Sequence, residues 1–336
     1  TRSYAGNSLR PVTSLDWLRV LCIDNTWSIR KKFDPDDLQR RQLVLPPTLL
    51  PPRLVTLELK NLGVVALPLL PDATLKRLVW WELGDDYHLT RRTGPLPSSL
   101  VHLQCFLSYS YLELSDLPPL LQHLDLDRSR LPTRVLPALP KTLRHLSVDC
   151  CDLTRLPPNL PLQLTHLVCS FNKLTAPLPD LPGSLLHLDC NHNGLSALPA
   201  LPGRLKHLSC DCNDLVSLPP LPVALEELCC WENNLTMLPT PLPPNLKSLR
   251  CRNNNLRRLP DLPRTLERLE CNVQENGMEE LPALHDTAIT RLDCRGNGLR
   301  TLPTLPDTLK WIECYGNALT SLPALPGGLE CFCDEG

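Results

Sequence analysis

The chain has 336 residues, enough for two ordinary domains, and a formal net charge of −2. Proline accounts for 37 residues, about one in nine against a usual frequency near 5%, which excludes long helices and admits proline in strands only at a fixed phase. The near-neutral charge provides no basic field for nucleic acid, and no apolar run of about 18 residues predicts a membrane span.

The N-terminal segment, residues 1–53, carries the clearest helix signal. Asp34 is a suitable N-terminal cap, Pro35 suits a first helical turn, and the pattern continues to about Leu43. A degenerate strand pattern begins earlier, at Leu18. We predict that residues 1–53 form an N-terminal cap with a short helix, which covers the first edge of the sheet that the rest of the chain predicts.

Residues 54–142 contain loosely repeated units that begin at Leu54, Leu75, Leu100 and Leu121. Insertions follow residue 83 and surround residues 133–135. Because insertions in repeat proteins tend to build binding features, the aromatic residues gathered there are either a binding feature or packing around an irregular loop. Both interpretations are open for Trp80, Trp81, Tyr87, Phe106, Tyr109 and Tyr111.

Residues 143–336 repeat regularly, with most steps of 20 or 21 residues. The stretch 185–199 returns as 205–219 with the same leucines and prolines. A fixed period of this length predicts a solenoid, in which each unit buries its apolar edge by stacking on its neighbours. The pattern Leu-x-x-Leu-x-Cys predicts a short strand with alternate side chains inward, and successive strands then form a parallel sheet.

The last inward position of the strand is held by cysteine in nine copies. Free cysteine packs as a small hydrophobic residue, and such a file of thiols is safe only where thiols stay reduced. We therefore predict an intracellular protein in a reducing compartment. The nine residues are Cys105, Cys169, Cys190, Cys210, Cys230, Cys251, Cys271, Cys294 and Cys314.

Asparagine follows each strand, and two Leu-Pro pairs follow the asparagine. Stacked amides can satisfy backbone groups that are left unpaired where each coil turns away from the sheet, with Ser129 and Cys151 substituting in earlier copies. Two prolines three residues apart predict an extended, polyproline-like return path with little helix. The asparagines are Asn172, Asn193, Asn213, Asn233, Asn254, Asn276, Asn297 and Asn317.

The complete pattern, Leu-x-x-Leu-x-Cys-x-x-Asn-x-Leu-x-x-Leu-Pro-x-Leu-Pro, is a leucine-rich repeat. Its paired Leu-Pro and 20-residue step resemble the short class found in effectors that bacterial pathogens inject into host cells. The resemblance is close over residues 143–328 and loose over 54–142. It implies a right-handed curved horseshoe with the parallel sheet on the concave face, and the host cytosol as the compartment. The chain differs in having cysteine where those effectors usually have valine or isoleucine.

The first outward position of the strands is histidine in six successive copies: His102, His123, His145, His166, His187 and His207. Neighbouring imidazoles at strand spacing suit a shared metal ion, or a pH-sensing strip in which adjacent imidazolium groups lower one another's pKa. A third interpretation is inheritance from one ancestral repeat, with ordinary surface roles. The sequence does not decide among the three. We favour ordinary surface roles, and we therefore expect no cofactor and no metal.

The outward positions of the C-terminal copies gather arginine and aromatic residues, which dominate protein-interface hot spots. We predict that this section of the concave face binds a protein partner; the alternative is a solvated face with dispersed Arg–Glu pairs. The predicted contact residues are Trp231, Arg250, Arg252, Arg268, Arg291, Arg295, Trp311 and Tyr315, together with His145, His166, His187 and His207.

Catalytic signals are missing from the sequence, which has no Gly-rich phosphate loop, nucleophile elbow or helical metal-ligand pair. Cys210, Cys212, Cys229 and Cys230 lie on adjacent coils, but inward and outward positions converge poorly on a zinc ion. We predict a non-catalytic scaffold that binds a protein partner on its concave face, either alone or as a subunit of a larger assembly. The alternative is the recognition module of a bacterial effector or ubiquitin ligase whose catalytic domain lies outside this chain.

The chain stops a few residues into the copy that begins at Leu329. An unpaired parallel edge invites pairing, so we expect another subunit or a continuing chain to cover it.

Overall fold

The computed structural model describes residues 3–4, 18–24, 50–62, 64, 66–67, 69–83, 90–114, 116–272 and 277–333. The helix predicted from Asp34 to Leu43 lies outside these residues, as do Tyr87, Asn276 and the insertion after residue 83. The chain divides into two compact units, Thr1–Lys173 and Leu174–Gly336. The described residues form 18 β-strands and contain no helix.

The first unit is built around one parallel sheet with the order β1-β2-β3-β4-β6-β8-β9-β10. Two further strands, β5 and β7, pair in parallel as a small second sheet that the sequence did not predict. The strands are β1 Ser3–Tyr4, β2 Val20–Asp24, β3 Thr56–Lys60, β4 Arg77–Trp81, β5 Thr90–Arg92, β6 His102–Phe106, β7 Tyr111–Glu113, β8 His123–Asp125, β9 His145–Ser147 and β10 His166–Val168.

The second unit is more regular, because every repeat contributes one three-residue strand that pairs in parallel with the next. The parallel-sheet solenoid predicted from the period is confirmed, whereas the predicted boundaries at residues 53 and 142 stay predictions. The strands are β11 His187–Asp189, β12 His207–Ser209, β13 Glu227–Cys229, β14 Ser248–Arg250, β15 Arg268–Glu270, β16 Arg291–Asp293, β17 Trp311–Glu313 and β18 Cys331–Cys333.

The core of each repeat consists of the residues that the sequence pattern placed inward. In one copy Leu185, Leu188 and Cys190 are all fully buried. The nine cysteines of this slot are buried, and the described cysteines are free thiols. Burial raises the pKa of the Cys251 thiol to about 12, so this position keeps a neutral, packing side chain.

The asparagine slot holds the coils together through backbone groups. Asn213 Nδ2 donates to three carbonyl oxygens at 3.0–3.1 Å, those of Cys190, Cys210 and Asp211. Its Oδ1 accepts the backbone N–H of Leu195 at 3.1 Å. These bonds reach both the residue's own turn and the preceding repeat, which confirms the predicted role of the amide ladder.

Ser129 and Cys151 occupy the same slot in the first unit. Ser129 Oγ donates to the carbonyl of Cys105 at 3.0 Å, and Cys151 Sγ donates to the carbonyl of Leu126 at 3.0 Å. Both smaller groups therefore reproduce part of the asparagine pattern, as the sequence predicted.

A tight turn precedes each asparagine of this slot that the structure describes, and the residue before the asparagine there adopts a positive φ. His192, Cys212 and Glu232 have φ of 48°, 52° and 51°. Gly296 and Gly316 hold the equivalent position in later copies, with φ of 63° and 68°, where an L side chain would be strained. Across the described residues, no helix is long and apolar enough to cross a membrane.

Candidate functional site

Each unit has an exposed surface that we call its sheet face. It comprises the first and third residues of each strand and the second residue after the strand. The strand register aligns equivalent residues, so that His207 lies beside Glu227, and Arg291 beside Trp311. Variation between repeats therefore appears on this face, while the leucines and asparagines beneath it stay constant.

The predicted arginine and aromatic residues all lie on the sheet face of the second unit. They occupy strands β14 to β17 and the short segments that follow β13, β14, β16 and β17. We call this group the basic–aromatic patch; it consists of Trp231, Arg250, Arg252, Arg268, Arg291, Arg295, Trp311 and Tyr315.

Aromatic rings support three of the five arginines from a neighbouring repeat. The guanidinium carbon of Arg252 lies 4.3 Å from the centroid of the Trp231 ring, and that of Arg291 lies 4.0 Å from the Trp311 centroid. Arg295 lies 5.3 Å from the centroid of the Tyr315 ring. All three distances are within the range of an attractive cation–π contact.

Arg295 is fully engaged within the protein. Its Nε and Nη2 both donate to the Asp293 carboxylate at 2.8 Å, and its Nη1 donates to Tyr315 Oη at 2.7 Å. The same Nη1 lies 2.9 Å from Glu313 Oε2. The hydrogen bonds to Asp293 raise the pKa of Arg295 above its ordinary value. Arg295 therefore stabilises the sheet face, and its charge is already neutralised by carboxylates of the protein.

Arg268 and Arg250 share one carboxylate. Arg268 Nε donates to Glu270 Oε1 at 2.7 Å, and Arg250 Nε lies 3.9 Å from the same oxygen. Glu270 is only 8% exposed, so the two arginines cover it. By contrast, no carboxylate of the described residues lies within 4.0 Å of a nitrogen of Arg252 or Arg291.

Buried carboxylates under this face were not identified from the sequence. Asp211 is 4% exposed, and it accepts the backbone N–H of Trp231 at 3.0 Å and the Ser209 hydroxyl at 3.3 Å. Burial raises the pKa of Asp211 to about 7. The signal available in the sequence was the recurrence of Asp or Asn two residues after the strand. Asn191 in that position likewise accepts the N–H of Asp211 at 2.7 Å.

The predicted histidines divide between the two sheet faces. In the first unit the rings of His102, His123 and His145 are stacked in succession, with centroids 4.1 Å apart at both steps. His166 is tilted against His145 at 5.6 Å. Burial lowers the pKa of His102 and of His123 to about 4, so both rings are neutral near pH 7.

In the second unit His187 and His207 are tilted, with ring centroids 5.7 Å apart. His207 Nδ1 lies 3.3 Å from Glu227 Oε2. Across the part of the chain that the structure describes, no group of three or more His, Cys, Asp or Glu residues is arranged to hold a metal ion.

The aromatic residues of the first unit separate into core and surface. Trp80 is fully buried and donates through Nε1 to the buried Glu82 at 3.2 Å, so it belongs to the core. Trp81 is 38% exposed, and its ring lies 5.3 Å from that of Phe106. The exposed Arg128 lies 5.5 Å from the centroid of the Phe106 ring. Packing thus explains Trp80, whereas Trp81 remains available at the surface.

Comparison with family models gave no match for this chain, and comparison with curated proteins gave none either. Solved structures did match. YopM from Yersinia enterocolitica WA-314 is 32% identical with a TM-score of 0.63, over 85% of this chain and 69% of that chain. YopM from Yersinia pestis, described as a leucine-rich effector protein, is 28% identical with a TM-score of 0.62, over 90% of this chain and 91% of that chain.

The functional domain of InlJ from Listeria monocytogenes, which includes a cysteine ladder, is 23% identical with a TM-score of 0.59. The alignment covers 84% of this chain and 68% of that chain, and it supports the fold alone. The match to YopM extends over most of both chains. The chain therefore belongs to the family of leucine-rich repeat proteins that includes the effector YopM of Yersinia.

Proposed function

We propose that this chain is a non-catalytic scaffold that binds a protein partner through the basic–aromatic patch. Its membership in the leucine-rich repeat family supports a general role in protein interaction. The observation that carries the specific proposal is the composition of one face: five arginines and three aromatic rings stand together while the acidic residues among them are largely covered. Arginine, tryptophan and tyrosine are the residues that contribute most to hot spots in protein interfaces.

The patch is also held rigidly, which favours binding. Its strands are in continuous parallel register, and cation–π contacts or ion pairs fix the long arginine side chains before a partner arrives. Immobilising a flexible side chain costs roughly 0.5–1.5 kcal/mol on association, and a pre-ordered side chain avoids most of that cost.

Histidines extend the proposed contact surface within each unit. His187 and His207 lie on the same sheet face as the basic–aromatic patch, and His145 and His166 lie on the sheet face of the first unit. Imidazoles supply flat surface with hydrogen-bonding edges. We assign His187 and His207 a peripheral part in the interaction of the basic–aromatic patch, and His145 and His166 a part in partner contact by the first unit.

The likeness to a leucine-rich effector supports two further parts of the proposal. The chain acts in the cytosol of a host cell, where the free thiols of its core stay reduced. It also works as one component of a larger protein assembly.

Site-specific photocrosslinking tests the proposed function. A photoreactive amino acid replaces Ser248, which is half-buried on the sheet face of the second unit, or Val216, which is 59% exposed and lies outside that face. We expect the same cellular protein to be crosslinked from position 248 and not from position 216, and unlabelled wild-type chain to compete. Capture from position 216 alone contradicts the proposal, and capture from a third site at Trp81 would transfer the function to the first unit.

A further inference from the structure

The five arginines of the basic–aromatic patch are not equivalent, and the difference identifies the partner's chemistry. Building on the proposed function, we propose that the partner docks an acidic, extended peptide segment whose carboxylates bind Arg252 and Arg291. Three of the arginines are neutralised by carboxylates inside the protein, whereas the other two lie on tryptophan rings and stand apart on the face.

Three arginines already have internal carboxylate partners. Arg295 bridges Asp293 and Glu313, while Arg268 and Arg250 both face Glu270. An arginine in such a pair has little attraction left for a further anion, because its own partner carboxylate opposes the approach of another.

Arg252 and Arg291 are held differently, by indole faces alone. Neither makes an ion pair with a carboxylate of the described residues, and Arg252 Nε makes no hydrogen bond there. The guanidinium carbons lie 4.3 Å and 4.0 Å from the centroids of the Trp231 and Trp311 rings, and a guanidinium stacked on a ring can keep in-plane N–H groups for an anion. That arrangement fixes the orientation of the planar fork while leaving the edge that binds a carboxylate in bidentate fashion.

The depth of the charged groups on this face also favours an acidic partner, because two carboxylates are buried and arginines lie above them. Glu270 and Asp293 are 8% and 4% exposed, so arginine side chains cover them, whereas Arg291 is exposed. Over Glu270 and Asp293 the basic groups are therefore outermost, while Glu227, on β13, is an exposed carboxylate of the same face. An approaching segment meets positive charge first, which attracts acidic sequences and disfavours basic ones.

Spacing between the two arginines limits the shape of the segment. Arg252 follows β14, and Arg291 begins β16, so they are two strands apart and about four residues apart along the strand direction. With strands about 4.8 Å apart and a rise of about 3.3 Å per residue, the two Cα positions are roughly 16 Å apart. An extended peptide covers that distance in about five residues, and it must run diagonally across the strands.

Isolated carboxylates fit this arrangement better than phosphate groups or nucleic acid. Recognition of phosphate in peptides and nucleic acids uses clustered or continuous rows of cations. Here each of the two cations without a carboxylate partner stands alone on its own tryptophan. Two single carboxylates four residues apart, on the same side of an extended segment, match two single guanidinium groups. An acidic peptide segment is therefore the occupant.

The test uses the full chain and a fluorescein-labelled Gly/Ser peptide that carries two glutamates four residues apart, so that both point to the same side of an extended peptide. Binding is followed by fluorescence anisotropy at low ionic strength. We expect binding that the double variant Arg252→Gln, Arg291→Gln weakens at least about tenfold. The matched control is Arg257→Gln, Arg258→Gln, which removes two exposed arginines outside the sheet face of the same unit. Unfolding curves of both variants establish that each is folded.

Four comparison probes make the outcome decisive. A peptide with glutamine for glutamate should lose binding, and one with the glutamates adjacent should bind more weakly. Equal weakening by the two double variants overturns the inference, as does stronger binding of a phosphoserine peptide or of single-stranded RNA that also depends on Arg252 and Arg291. If crosslinking from position 248 still captures a protein while the acidic peptide does not bind, the acidic partner is wrong and the scaffold function stands; failure of both removes the scaffold function as well.

Discussion

The sheet face of the first unit carries stacked imidazoles, whereas that of the second unit carries guanidinium groups stacked on indoles. His123 lies 4.1 Å from each of its two stacked neighbours, and Arg291 lies 4.0 Å over Trp311. The two arrangements use the same strand position and the same parallel register. They differ in charge, because His102 and His123 are neutral near pH 7 and arginine is not. A repeat backbone therefore sets spacing, and the outward residue sets chemistry.

Beneath these faces the copies of the repeat also differ in how the slot side chain bonds to the backbone. Asn213 in the second unit makes three donor bonds and accepts one. Asn172, at the end of the first unit, donates three such bonds and accepts two. Ser129, in the same slot of an earlier copy, donates one bond to a carbonyl of a neighbouring repeat, so the fold tolerates fewer of these bonds in its irregular copies.

Removing an amide from the ladder should produce the largest effect. Asn213→Ala removes four hydrogen bonds and leaves the buried N–H of Leu195 without this partner, while the three carbonyls keep bonds from Asn193, Asn233 and the N–H of His192. At about 1 kcal/mol per bond, we expect a loss of about 4 kcal/mol in the free energy of unfolding. Ser129→Ala removes a single bond and should cost about 1 kcal/mol. Urea unfolding followed by circular dichroism measures both. Equal losses would show that the slot fills space rather than satisfying the backbone.

The periodic part of this structure was predictable from the sequence. Leu185, Leu188 and Cys190 are buried as the alternation required, and the amide of Asn213 contacts the backbone of two repeats. Such features depend on local spacing that every copy repeats. The small sheet of β5 and β7 was missed because it forms in the irregular copies, where no period guides the prediction.

The positions of the candidate contact residues on the face were predictable, but their electrostatic state was not. Alternation placed Arg291, Arg295 and Glu270 outward alike. Only the three-dimensional structure shows that Glu270 is buried and that Arg295 donates to the Asp293 carboxylate. It also shows that Arg291 contacts the indole of Trp311 instead of a carboxylate. These distinctions arise from side-chain rotamers between neighbouring repeats, which a sequence pattern does not specify.

Stability measurements should separate the bracing arginine from the open one. Arg295→Gln leaves the buried Asp293 carboxylate without its bidentate partner, and we expect a loss of about 2 kcal/mol. Arg291→Gln removes an exposed group that touches one ring and should cost about 0.5 kcal/mol. Thermal unfolding of the two single variants provides the measurement. If Arg291→Gln lowers the free energy of unfolding more than Arg295→Gln does, Arg291 has a structural role and does not belong to the binding surface.

The smallest effect concerns the neutral imidazoles of the first unit. Burial lowers the folded-state pKa of His102 and His123 to about 4 from an ordinary value of 6.5, with Arg77 adding to the shift for both rings. The unfolded chain then binds more protons than the folded chain between those values, so stability decreases as the pH falls from about 6.5 to about 4. After allowance for solvent screening of half-exposed rings, we expect about 1 kcal/mol from the pair.

The double variant His102→Gln, His123→Gln isolates this contribution. Asp125 in the same unit changes stability in the opposite sense, because burial raises its pKa to about 6, but it is present in both proteins and cancels in the comparison. Urea unfolding at pH 7.5 and pH 4.5 should show a smaller acid loss for the variant than for the wild type. His285→Gln, at an exposed loop position, serves as the control and should leave the acid loss unchanged. An undiminished loss in the double variant would mean that the stacked rings accept protons at little cost, and the contrast in charge between the two faces would then disappear in acid.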